Sequence, residues 1–172
     1  MPALACIGTA TYIFYQSNIK HAVLEGSSLN KWKEQYELKY KRFENLPHPS
    51  ITSVITSVDL FPEKQSYNVN GQYVLINKTN AGIDSILIYF DRITKMNGLQ
   101  IAGASMVFTD SDFGHYWMLL QNTLVPGDSV VMDFNFNSSW SSFNEHVPFN
   151  SIVNNGSFSR ISNFFPKIYN KH

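Results

Sequence analysis

The polar and apolar positions between Val58 and Asn77 set two short-period arms around a polar turn. In the second arm Tyr67, Val69, Tyr73 and Leu75 fall on one side, while Asn68, Asn70 and Gln72 fall on the other. That alternation predicts a strand with one face on a core and one in water. From Val74 to Ile76 both sides are apolar, which predicts burial on both faces. Pro62-Glu63-Lys64-Gln65 turns the chain between the arms. This hairpin reads as the seed of a sheet.

Upstream the period changes. Leu29, Trp32, Tyr36, Tyr40 and Phe43 recur at three- and four-residue steps, which predicts an amphipathic helix over 29–46 with an aromatic stripe. Ser28 is placed to cap it, Glu37 and Lys41 are spaced for an ion pair along it, and Pro47 and Pro49 stop it. The apolar run Ala3 to Tyr15 is shorter than the roughly 20 residues that span a bilayer. It lacks the positive start of a signal peptide. It reads either as the end of a membrane segment or as an edge strand or helix packed on the body.

Downstream of Pro49 the pattern is β throughout. Strands are expected at Ile51–Leu60, Ser66–Asn77 and Ile83–Phe90, the last one central. A turn is expected at Met96-Asn97-Gly98, then a weaker strand through Ile101. Ala104–Phe108 should pair with His115–Gln121 across Thr109–Gly114. Pro126-Gly127 is a turn, since proline presets the second position and glycine tolerates positive φ at the third. Val130, Met132, Phe134 and Phe136 then face a core, Ser138–Asn155 reads as loop, and Gly156–Phe165 holds a last short strand.

Composition narrows the classes. A chain of 172 residues with zero formal charge and sparse ionic groups is one domain, or one with an extension, and carries no nucleic-acid footprint. Glu34, Glu37 and Glu44 interleave with the basic residues of the helix, so its flank reads as a solvated face. The 13 Phe, 9 Tyr and 3 Trp suit a β-rich body. The lone Cys6 allows neither an internal disulfide nor a cysteine zinc site.

Candidate chemistry is sparse. None of the five histidines opens an H-E-x-x-H, and phosphate-binding loops and nucleophile elbows are absent. Asp110, Asp112 and His115 form D-x-D-x-x-H, a set able to hold a divalent metal or, read as a loop, to satisfy turn amides. Glu145 and His146 are neighbours able to act as an acid–base pair, with a surface role as the alternative. Asn77-Lys78-Thr79, Asn137-Ser138-Ser139 and Asn155-Gly156-Ser157 match the glycosylation sequon, a match that arises by chance in a chain rich in Asn and Ser.

Several segments together resemble a known family. Glu34–Pro47, E-Q-Y-E-L-K-Y-K-R-F-E-N-L-P, is followed by Ile51–Lys64, I-T-S-V-I-T-S-V-D-L-F-P-E-K, and by Gly71–Thr79, G-Q-Y-V-L-I-N-K-T. Leu124–Ser129, L-V-P-G-D-S, and Phe164–Asn170, F-F-P-K-I-Y-N, come later, and Thr11–Asn18 is similar to a segment leaving a last membrane helix. In this order they resemble the start of the aminopeptidase half of a large bacterial membrane protein. There an ABC-type permease precedes a gluzincin, leukotriene-hydrolase-like zinc aminopeptidase.

The resemblance implies a mainly β, antiparallel sandwich or saddle-like domain over 50–172 with one N-terminal α-helix at 29–46. Residues 1–28 would be an apolar linker following a membrane segment. The fragment would be non-catalytic and hold no cofactor of its own. Zinc, its ligands and the catalytic glutamate would belong to a catalytic domain beyond His172, which would be its partner together with that domain's peptide substrate. The domain would be soluble and extracytoplasmic, touching membrane only through the upstream segment.

One substrate-binding position is implied. Family members hold the substrate's free amino group with an acidic or amide residue five positions before an arginine that precedes an aromatic pair. Arg160 and Phe164-Phe165 place it at Asn155. Two other readings remain open: a free-standing sandwich that binds a glycan or protein through exposed Trp117, Trp140 and tyrosines, and a metal enzyme at Asp110, Asp112 and His115.

Overall fold

A computed structural model describes residues 2–20, 26–91, 94–140 and 151–168. Two helices come first, α1 (Pro2–Tyr15) and α2 (Gly26–Tyr40). Ten strands follow: β1 (Ser50–Phe61), β2 (Ser66–Ile76), β3 (Ile83–Tyr89), β4 (Thr94–Ile101), β5 (Ala104–Asp110), β6 (His115–Leu124), β7 (Ser129–Ser139), β8 (Ser151–Val153), β9 (Gly156–Phe158) and β10 (Lys167–Ile168). They make two antiparallel four-stranded sheets, ordered β1-β2-β7-β4 and β10-β3-β6-β5, plus the β8–β9 hairpin. The fold is therefore mainly β, two sheets packed as a sandwich.

The alternation of β2 and β7 is what builds the core. Tyr67, Val69, Tyr73 and Leu75 from β2 are buried, as are Met132, Phe134 and Phe136 from β7. They pack against Ile86, Ile88, Met118 and Leu120 from the other sheet. The β1–β2 hairpin forms in the expected register, with Val58 opposite Val69 and Leu60 opposite Tyr67. Its turn closes with Gln65 at φ 47°. Pro126-Gly127 turns as expected: Gly127 has φ 91° and the Asp128 amide donates to the Val125 carbonyl at 3.0 Å.

Four local expectations are corrected. Met96-Asn97-Gly98 lies inside β4, where the register against β7 shifts between Met96 and Gly98. Asn-Gly signals a bulge as well as a turn, and a bulge keeps the strand. Second, α2 ends at Tyr40 and tightens into a 3₁₀ turn, Lys41–Phe43, ahead of Pro47. Lys41 therefore leaves the helical spacing that would pair it with Glu37. Third, Ser28 lies inside α2 and is not its cap. Fourth, Ser138 and Ser139 extend β7, and the segment expected as loop also contains β8. The run 2–15 is a helix, and its described residues from Ala3 to Tyr15 are all exposed.

Candidate functional site

Asp110 and His115 are brought together by the β5–β6 hairpin, in which they are paired residues. Both point at α2. The Tyr40 ring stacks on the His115 imidazole with centroids 4.0 Å apart, and the Tyr40 hydroxyl donates to Asp110 Oδ2 at 2.6 Å. The Lys39 ammonium donates to the same oxygen and forms an ion pair with it. Asp110 Oδ1 accepts from the Asp112 and Phe113 amides at 3.2 and 3.4 Å. The His115 Nδ1–H donates to the Phe113 carbonyl at 2.7 Å, which fixes the tautomer. The Asp112 residue itself is exposed.

The electrostatics follow from those contacts. Burial alone would raise the Asp110 carboxyl, but hydrogen bonds from Lys39 and Tyr40 and the Lys39 charge outweigh it and hold the group below the usual carboxylate range. Burial pushes His115 down, so the imidazole is neutral. Burial and the hydrogen-bonded carboxylate push the Tyr40 phenol well above its ordinary value.

The D-x-D-x-x-H motif is thus a structured hairpin loop whose first carboxylate anchors a helix, and the three side chains do not converge as metal ligands. Among the described residues no group of three or more His, Cys, Asp or Glu is placed to hold a metal ion.

The other candidates scatter. Asn155 is exposed in the two-residue turn between β8 and β9, where Val153 pairs with Gly156. Glu145 and His146 lie outside the described residues. Trp117 packs edge-on against Phe43 at 4.5 Å, and Trp140 sits 6.0 Å from Tyr67 against the core, both half-buried.

Asn77, one of the sequon asparagines, is buried. Its amide donates to the Ala81 and Leu124 carbonyls at 2.7 Å each and accepts from the Thr79 amide and hydroxyl at 2.9 and 2.7 Å. It ties the end of β2 to the β6–β7 turn and is closed to modification. Sequence reasoning missed this, because an Asn near a turn looks the same whether it is exposed or a hub.

An open groove of about 940 Å³ lies among the described residues. Ile51 and Val54 of β1 line one side, Phe165, Pro166 and Ile168 the other, with His48 among the lining residues. It forms because β1 is 12 residues long while β10, at the matching edge of the second sheet, has two. Val54 and Leu60 share a face with buried Tyr73 and Tyr67 yet stay 46% and 44% exposed. The volume is at the upper end of ligand-site sizes. Asn155 does not line it.

No protein-family model matches the sequence. No curated protein matches it either. Among solved structures the chain is similar to a mutant two-domain M1 zinc metallopeptidase bound to L-tryptophan. It is equally similar to the M1 zinc metallopeptidase from Deinococcus radiodurans and to a mutant of that protein bound to a Tyr-Ser-Ala substrate. Each likeness has a TM-score of 0.44 at 10% identity and covers 55% of this chain. The chain spans 21% of the length of each of those metallopeptidases, and likeness at this level assigns neither family nor activity.

Proposed function

We propose that this chain is a non-catalytic N-terminal β domain of a membrane-tethered zinc-aminopeptidase-like protein. It scaffolds a catalytic domain that follows it and lines one wall of that domain's cleft. The observation that carries the reading is the order of the resembling segments on the fold. The aromatic-striped helix leads into the β1–β2 hairpin, then the Pro126-Gly127 turn, then the Phe164-Phe165 pair packed against the core. The groove between β1 and β10 is the apolar surface for that following domain. Asn155 would meet the peptide's amino group through an amide oxygen, a poorer acceptor for an ammonium than a carboxylate. In this reading α1 is the lipid-facing end of the upstream segment, since an uncharged helix exposed on all sides has no favourable surroundings in water.

The test compares two proteins. The 172-residue chain alone should release no fluorophore from aminoacyl-coumarin substrates, with or without added zinc. The longer protein should cleave them in a zinc-dependent way and lose that activity on chelation. A gene that continues without an H-E-x-x-H, or stoichiometric zinc bound by the 172 residues alone, overturns the reading.

A further inference from the structure

The outer face of the β1-β2-β7-β4 sheet carries an amide grid. Across β2 and β7, Asn68 pairs with Asn137, Asn70 with Asn135 and Gln72 with Asp133. The grid widens onto β4 through Asn97 and Gln100. Its members are cross-linked: Asn135 donates to Asn70, Asn97 donates to Asn135 and Asn137 at 3.1 Å each, and Gln72 donates to Asp133 at 2.8 Å. Each bond uses only part of an amide's two donors and two acceptors. The rest face solvent, since Asn68, Asn70, Gln72, Asn97 and Gln100 are exposed.

Folding alone gives no reason for this composition. Asparagine is depleted in strands, and a merely solvated face is served as well by threonine or by mixed charges. Here asparagine fills the two central strands, at positions that face each other. Asp133 is the one charge within the central rows, with Asp59 and Lys95 at the rim. The surface is therefore nearly neutral, dense in groups that donate and accept at once, and held in place by its own hydrogen bonds. Adjacent strands stand roughly 4.8 Å apart and same-face residues about 6.7 Å apart, a pitch comparable with the span of a pyranose ring.

We propose that this face binds a neutral carbohydrate chain, its amides bridging vicinal hydroxyls of successive sugars. The match is one of charge and hydrogen-bonding pattern: an uncharged, polyhydroxylated ligand on a nearly neutral surface rich in both donors and acceptors. Pre-ordering by the cross-links lowers the entropy lost on binding. The proposal is independent of any downstream catalytic domain and uses neither Trp117 nor Trp140.

The experiment titrates the 172-residue chain with cellohexaose, chitohexaose, maltohexaose and mannohexaose, following side-chain and backbone amides by NMR. At least one should give saturable shifts concentrated on Asn70, Asn97, Asn135 and Asn137. The paired substitution Asn70→Thr with Asn135→Thr should weaken it about tenfold or more, while Trp140→Phe leaves it unchanged. Thermal unfolding of the paired variant should match the parent, which separates lost binding from lost folding. No shifts with any of the four, shifts mapping to the groove or to Trp140, or unchanged affinity in the paired variant would overturn the proposal. So would concentration-dependent shifts of the same residues without sugar, which would make the face a self-association surface.

Discussion

The outer faces of the two sheets were solved in opposite ways. The outer face of β3 and β6 presents Leu87, His115 and Trp117; α2 covers it with Trp32, Tyr36 and Tyr40, and the 3₁₀ turn after it with Phe43. The outer face of β2 and β7 presents paired amides and, among the described residues, carries no helix. An apolar face needs a cover and takes one; a polar face is left to water or to a polar ligand. The covered face also holds the chain's buried ionic chemistry, because bringing Asp110 under a helix obliges the helix to supply Lys39 and Tyr40. Stability should therefore concentrate on the covered face, and freedom to vary on the bare one.

The sharpest way to break that contrast is Tyr40→Ala. It removes a fully buried ring, its stack on His115 and the donor to Asp110, and should cost about 3–5 kcal/mol in denaturant unfolding. Asp110→Ala comes next at about 2–4 kcal/mol, since Tyr40, Lys39 and two backbone amides all lose their acceptor; the half-exposed Lys39 contributes little of that. Gly114→Ala should cost about 1–2 kcal/mol or more. Gly114 holds φ +69°, and a Cβ there would press on the Phe90 carbonyl that adjoins the hairpin.

Acid should loosen the covered face first. Burial lowers the pKa of His115 on that face, and of His48 at the groove, so folding favours the neutral ring in both. At pH above the ordinary value of 6.5 the proton is absent from both states and nothing is lost. As pH falls below it, the unfolded chain takes up protons more readily and stability declines. Asp110 has its pKa lowered, so its contribution persists above the normal carboxylate range and disappears as pH falls through its folded value. Fluorescence of Trp32 and Trp117 should report the change between pH 7 and 5 before any loss of far-UV β signal. The smallest effect belongs to the bare face: Asn70→Thr should lie within about 0.5 kcal/mol of the parent, or stabilise it slightly, because threonine suits a strand better. A loss above about 1.5 kcal/mol by chemical denaturation would show that the grid is structural.

Much of this was legible beforehand, and the parts that were not share a cause. Period two in β2 and β7 and the 3–4 spacing of the aromatic helix each report a local requirement for one buried side, so element type and facing followed from them. Pro126-Gly127 was readable because its φ demands are met by residue type alone. Met96-Asn97-Gly98 was misread because the same residues serve a bulge and a turn, and only β7 alongside selects the bulge. The D-x-D-x-x-H motif kept two meanings until Tyr40, 70 residues upstream, was seen to contact Asp110.

The sequence by itself determined a mainly β body entered through an aromatic helix, since hydrophobic burial is coded by spacing along the chain; that the sheets pack as a sandwich was only what the family resemblance implied. Only the tertiary structure decided which sheet the helix covers, that Asn77 is a buried hub, that Trp117 packs against Phe43 and Trp140 against the core, and that asparagines far apart in sequence form one grid. Those are matters of register and sheet order, where side chains meet across strands and local pattern carries no information about the partner.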